Sequence, residues 1–169
     1  MATATHAPAA WHTAVSTSLG ELTLVRDSYA LRGVYFPQHW YMPNRAAFGE
    51  QVADGFDDAS EQLSEYLAGT RRTFDLSLAP RGDELQRRVW KLVQQIAYGQ
   101  TATYGELARA LGGGVTAKQV GAAVGRNPLC ILIPCHRVVG SGGKLTGYAG
   151  GFQRKRALLE LEQTVEAAA

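Results

Sequence analysis

Cysteine is scarce: the 169-residue chain carries two, Cys130 and Cys135. Two cysteines build no disulfide framework, and no CxxC pair suggests redox or zinc chemistry. In an extended chain their Cα atoms would lie roughly 16 Å apart with side chains on opposite faces, beyond bridging range. The histidines, at 6, 12, 39 and 136, show no ligand spacing, so no metal site is expected. Long apolar runs are missing too; none approaches the roughly 18 residues a membrane helix needs. The first ten residues, MATATHAPAA, have neither a basic region nor an apolar core, so they read as a flexible tail and not as a secretory signal. These absences together point to a reducing cytoplasm.

Lysine is absent from residues 1–80, where five arginines face nine acids, a net −4. Residues 81–169 reverse this, with twelve basic residues against six acids, a net +6. A basic half joined to an acidic half suggests that the C-terminal part meets a polyanion, although scattered solvated charges would give the same count.

What is present divides at "APRGD" (79–83). Before it come short β-prone runs, "HTAVSTS", "ELTLVRD" and "YALRGVYF", with turns at Leu19-Gly20 and Asp27-Ser28. A helix follows, capped near Asp58, with Leu63, Tyr66 and Leu67 on one face and Gly69 as its stop. "RTFDLSL" reads as a further strand. Beyond the boundary, Leu85, Val89, Leu92, Val93 and Ile96 recur at helical spacing up to Gly99. "TYGELARALGG" and "TAKQVGAAVGRNP" are two short helices around "GGGV", a helix-turn-helix outline that any tight helix pair would share. The second is nearly bare: Ala117, Gly121, Ala122, Ala123 and Gly125 surround Lys118, Gln119 and Val120. It suits close approach to a nucleic-acid backbone, or simply tight packing. The expectation is a tail (1–10), an α/β N-terminal domain of a small antiparallel sheet plus helix (11–80), a mainly helical C-terminal domain with the helix-turn-helix and an active-site strand (81–165), and a short tail (166–169).

"ILIPCHRVVG" (131–140) is the chemically loaded stretch. It reads as a buried strand, Leu129 to Ile133, that stops at Pro134 and delivers Cys135, His136 and Arg137 to its end. A buried cysteine can be a small hydrophobe; a Cys-His pair at a strand end is a nucleophile beside a base.

The run "NPLCILIPCHRVVGSGGKLTGYAGG", followed by "KRALLELE", resembles the O6-alkylguanine-DNA alkyltransferases, also called methylated-DNA–protein-cysteine methyltransferases. Pro-Cys-His-Arg-Val at 134–138 resembles their active-site signature. Asn127-Pro128, Tyr104-Gly105, Gly147-Tyr148 and Gly150-Gly151 fall at the family's spacing. The likeness is strong over about 82–163 and loose before it. It implies alkyl transfer from O6-alkylguanine in double-stranded DNA to Cys135, stoichiometric and irreversible because a thioether has no easy route back to a thiol. O4-alkylthymine is a second substrate to consider. His136, oriented by Glu162, would take the thiol proton through a water, and Tyr104 would protonate the departing guanine. The base pocket would comprise the backbone of Cys135, Val138 and Ala149, with Tyr148, Gly150, Cys130 and Val124. DNA would meet Gly113, Ala117, Lys118, Gln119, Gly121, Ala122, Arg126, Asn127 and Ser141, with Asn127 as the hinge to the active-site strand. Lys118 stands where the family has an arginine that fills the stack vacated by the flipped base. No cofactor is implied, and the absence of cysteine from the N-terminal domain argues against the zinc some relatives hold there. The protein is expected to be a monomer.

Three other classes compete. Some relatives lack the nucleophile and only flag alkylated bases; Cys135, His136 and Glu162 argue against that class, and Lys118 leaves it an opening. A Cys-His thiol hydrolase would want a third partner and an oxyanion motif, which the sequence does not display. A transcription regulator would want base-reading side chains. Elsewhere, Trp11, Trp40 and Trp90 read as structural, and Arg154-Lys155-Arg156 as a solvated charge cluster with phosphate contact as its alternative.

Overall fold

A computed structural model of the chain describes residues 9–169; residues 1–8, most of the expected tail, lie outside the described residues. Strands β1 (Trp11–Thr17) and β2 (Gly20–Arg26) form a hairpin, Trp11 opposite Arg26 and Thr17 opposite Gly20. Asp27 closes the next turn by accepting from the amides of Tyr29 and Ala30, and β3 (Leu31–Tyr35) returns antiparallel to β2. The sheet is mixed, not purely antiparallel: β4 (Glu50–Gln51) lies parallel to β1, giving the order β3-β2-β1-β4. The expected strand "RTFDLSL" reduces to one bridge between Leu31 and Leu78. Pro80, with no amide hydrogen, stops the ladder there.

Helix α1 (Asp57–Leu67) buries Ala59, Leu63 and Tyr66. Its N-cap is Phe56, with no side-chain cap bond, where the sequence suggested Asp58. Phe56 is itself buried, so packing fixes the helix start. Gly69 ends it at φ 79°, as expected.

Helix α2 (Glu84–Val93) begins with a reciprocal cap between Asp83 and Gln86. It stops at Val93, short of Gly99, and Ile96 reaches the core from the turn that follows. Strand β5 (Ala102–Thr103) leads into α3 (Tyr104–Leu111), and α4 (Ala117–Gly125) follows. Both helices open on capping boxes, Thr103 with Glu106 and Thr116 with Gln119. Between them Gly112, Gly113 and Gly114 all have positive φ, a run that side-chain-bearing residues would resist. Trp90 ties α2 to α4 by donating Nε1–H to the Ala123 carbonyl at 2.9 Å. Strand β6 (Val138–Val139) pairs in parallel with β5, and α5 (Phe152–Ala167) closes the fold. The helix takes in residues expected as tail, and Glu166 pairs with Arg72 at 2.7 Å.

The expected strand Leu129–Ile133 is the main departure. It is a series of tight turns: Leu132 N–H donates to Cys130 O at 2.8 Å, Ile133 to Leu129 at 2.9 Å and Cys135 to Ile133 at 2.7 Å. Among the described residues β3 alone pairs with it, by a single bridge, with Val34 N–H donating to Pro128 O and Cys130 N–H to Val34 O. Ile131 sits at φ 71°, a costly conformation for a β-branched residue. One apolar cluster runs from the sheet through α1, α2 and α4 to this segment, so the N-terminal sheet packs directly against the Cys135 loop.

Candidate active site

Cys135 opens a short 3-10 turn, Cys135–Arg137, directly after Pro134, and is 2% exposed. Asn127 holds its sulfur, donating from Nδ2 at 3.0 Å. Because the 129–133 segment coils, the Cys130 thiol comes within hydrogen-bonding reach of Cys135, where an extended strand would have separated them. That contact, Asn127 and the charge of Lys155 pull the Cys135 thiol below its ordinary value, although burial opposes them. Cys130 moves the other way, pushed well up by burial and by its bond to Cys135. Of the pair, Cys135 is the more readily ionised. Cys130 also lies 3.5 Å from His39 Nδ1.

Asn127 is fully buried and faces no solvent, which removes it from the expected DNA-facing set. Its Oδ1 accepts from Leu129 N–H at 2.9 Å, and its Nδ2 donates to the Ile133 carbonyl at 2.9 Å. These bonds satisfy backbone groups that a strand would have paired, and they coil the loop around the thiol.

His136 is fully buried. Its Nε2 lies 2.9 Å from Glu162 Oε1 and 3.2 Å from the Tyr66 hydroxyl, while Nδ1 has no partner among the described residues. Glu162, projecting from α5, also accepts from Arg137 Nη2 at 2.7 Å, from Tyr66 at 2.5 Å and from Gly99 N–H at 3.2 Å. Burial alone would raise this carboxyl; His136, Arg137 and Tyr66 outweigh it and hold it at about 2. Burial lowers His136 more than Glu162 raises it. The ring is therefore a neutral acceptor beside a fixed carboxylate.

Lys155 corrects the reading of Arg154-Lys155-Arg156 as solvated. It is 1% exposed and donates to Val138 O at 2.6 Å. Burial lowers its ammonium to about 8, against the raising effect of Cys135. Arg154 lies over the Phe36 ring at 4.6 Å, and only Arg156 is exposed, paired with Glu160. Consecutive helical residues are about 100° apart, so three in a row cannot share one solvated face.

The remaining expected pocket residues fall around this centre with different exposures. Tyr104 places its hydroxyl 2.7 Å from Thr146 Oγ1, with Gly121 beside its ring. Val138, Ala149, Tyr148 and Gly150 are buried, and Ala149 O accepts from Trp40 N–H at 3.0 Å. Val124 is buried in the main core. A Cβ on Gly147 would meet the Trp40 ring at 2.6 Å, so the glycine makes room for a side chain of this chain. On the outer face Gly113, Ala117, Lys118, Gln119, Ala122, Arg126 and Ser141 are exposed and Gly121 half-buried. Gln119 is already engaged, its Oε1 accepting from Thr116 N–H at 2.8 Å. Arg126 stacks on the Tyr41 ring at 4.0 Å, a pairing the sequence did not suggest.

The description "6-O-methylguanine DNA methyltransferase, DNA binding domain" matches residues 84–164, and "6-O-methylguanine DNA methyltransferase, ribonuclease-like domain" matches residues 11–80. The chain belongs to the 6-O-methylguanine DNA methyltransferase family. It is 45% identical over 149 residues to the methylated-DNA–protein-cysteine methyltransferase of Mycolicibacterium paratuberculosis, covering 88% of this chain and 90% of that one. The Methanosarcina acetivorans protein of the same name is 42% identical over 147 residues, 85% of this chain and 92% of that one. Among solved structures, Mycobacterium tuberculosis OGT in complex with DNA superposes with a TM-score of 0.85 at 40% identity, over 92% of this chain and 94% of that one.

Three groups that pack into this centre were not read from the sequence as part of it: Arg137, Lys155 and Tyr66. Arg137 carried a signal, a charge in a buried run. Lys155 and Tyr66 carried none that separates them from a solvated lysine and a core tyrosine.

Proposed function

We propose that the protein repairs double-stranded DNA by moving the alkyl group of O6-alkylguanine onto Cys135, once per molecule. The observation that carries this reading is the pairing of a lowered, Asn127-held thiol with a neutral imidazole whose Nδ1 is free. A bridging water passes the Cys135 proton to Nδ1, and Glu162 steadies the imidazolium that results. The thiolate attacks the alkyl carbon in line: the S–C bond forms, the C–O6 bond breaks, and the electron pair leaves with guanine. Tyr104, held by Thr146, gives the departing base a proton and is reprotonated from solvent. Lys155 stabilises the thiolate electrostatically, and no group on the protein needs to return to its starting state.

Reaching the base requires flipping it from the duplex, which costs roughly a few kcal/mol and less for a poorly paired lesion. The small-residue face of α4 lets the protein backbone approach the DNA, while Lys118 and Arg126 supply charge. The protein acts as a monomer in the cytoplasm. Among the described residues, no helix is long and apolar enough to cross a membrane.

Intact mass tests the reading. After incubation with a duplex carrying O6-methylguanine, wild type should gain one methyl, about 14 Da, and Cys135→Ala should gain nothing. Lesion-specific binding without a mass change would move the protein to the damage-flagging class.

A further inference from the structure

Tyr66 lies on α1, between the N-terminal sheet and α5, and is fully buried. As a core aromatic it would bury its ring and satisfy its hydroxyl anywhere. Instead the hydroxyl donates to Glu162 Oε1 at 2.5 Å and sits 3.2 Å from His136 Nε2. His136 Nε2 is itself 2.9 Å from the same carboxylate oxygen. Phenol, carboxylate and imidazole thus form a closed triangle whose three corners come from three separate parts of the chain.

We infer that Tyr66 is a positioning residue of the transfer reaction, through which the N-terminal part of the protein sets the basicity of the Glu162–His136 pair. The inference rests on the proposed Cys135–His136–Glu162 relay and adds a member to it.

The phenol does two things. Spending its proton on Oε1, it leaves an oxygen lone pair facing Nε2, so Nε2 meets two acceptors and keeps its hydrogen. That fixes the tautomer with Nδ1 bare, the form able to take a proton. It also draws charge from the carboxylate. A Glu162 relieved of this donor would hold an imidazolium proton more tightly, and more of the ring would be protonated before reaction. Burial keeps Tyr66 a neutral donor throughout, pushing its hydroxyl far above the usual phenol range, with Glu162 adding to the effect. The other charged and titratable groups facing the triangle are Arg137, Lys155, Tyr98 and Tyr148. All four are retained in a substitution at Tyr66.

The test is the pH–rate profile of single-turnover methyl transfer from the O6-methylguanine duplex, with melting followed in parallel. Tyr66→Phe should move the acid limb up by about one pH unit, so that the rate on that limb falls about tenfold at fixed pH. A fluorotyrosine at position 66, a stronger donor that keeps ring and hydroxyl, should move the limb the opposite way, and it decides the matter if Tyr66→Phe does not fold. Leu63→Ala, a core truncation on the same helix, should lower the melting temperature and leave the limb in place. A limb unmoved by both Tyr66 replacements, or moved equally by Leu63→Ala, overturns the role of Tyr66 alone. A wild type whose transfer shows no acid limb overturns the relay and this inference together.

Discussion

Asn127 spends one side chain on two backbone groups and one sulfur, all in the dry interior. Asn127→Ala would orphan the Leu129 amide, leave the Ile133 carbonyl with the Cys135 amide as its remaining donor, and leave Cys135 with one donor fewer. A buried unsatisfied group costs about 1–3 kcal/mol, so we expect a loss of that size in urea unfolding. The thiol should also titrate at higher pH, which thiolate absorbance against pH would read; an unchanged titration would mean Asn127 only shapes the loop. Glu162 makes a second prediction. Its folded value of about 2 lies below the ordinary 4.5, so its bonds stabilise the fold above about 4.5 and are lost as pH falls from there towards 2. That difference is worth about 3 kcal/mol. Glu162→Gln should flatten this part of the acid-unfolding curve; an equally steep curve would place the acid sensitivity elsewhere.

On helix α4, the resemblance implies that Lys118 stands where the family has an arginine. Lysine is a compact charge without the planar fork that stacks in a vacated base position. Lys118→Arg should therefore speed repair of O6-methylguanine in duplex DNA by several-fold more than it speeds reaction with the free base. Equal gains on both substrates would mean that position 118 does not act in flipping. The same helix shows how an element can mislead: Gln119, which suits base reading by type, is engaged by the cap at Thr116. Thr116→Ala should cost about 1 kcal/mol of stability in urea unfolding, because the Gln119 amide loses its acceptor, while the Gln119 side chain stays on the backbone amide of residue 116.

Across the molecule the charge is divided, net −4 over residues 1–80 and +6 over residues 81–169. If DNA is held through phosphates along the basic half, log affinity should fall linearly with log salt, by about 0.9 per phosphate contact. A binding constant insensitive to salt would exclude that mode. The acidic half is not a bystander in the fold. It bridges the 128–130 segment through Val34, packs Trp40 over Gly147 and places Tyr66 against Glu162. The two halves therefore share one core, and cleaving the chain at the 79–83 boundary should abolish methyl transfer even where the C-terminal piece still binds DNA.

Local chemistry determined much of this. Capping boxes, the triple-glycine turn and the 3.6-residue apolar pattern place α2, α3 and α4, because each depends on residues within one or two turns of each other. Pro-Cys-His-Arg-Val pointed to Cys135 and His136, while Glu162, 26 residues on from His136, was joined to them through the family resemblance alone. Tertiary structure decided the rest. An apolar pentapeptide reads as a strand until the number of available partners is known; here β3 offers one bridge and Asn127 takes the other polar groups, so Leu129–Ile133 coils and brings Cys130 against Cys135. Whether a lysine is solvated or buried, and whether a core tyrosine ends in empty contact or on a buried carboxylate, depends on which distant element covers it. Sequence spacing fixes a residue's face, and only packing across the fold fixes what that face meets.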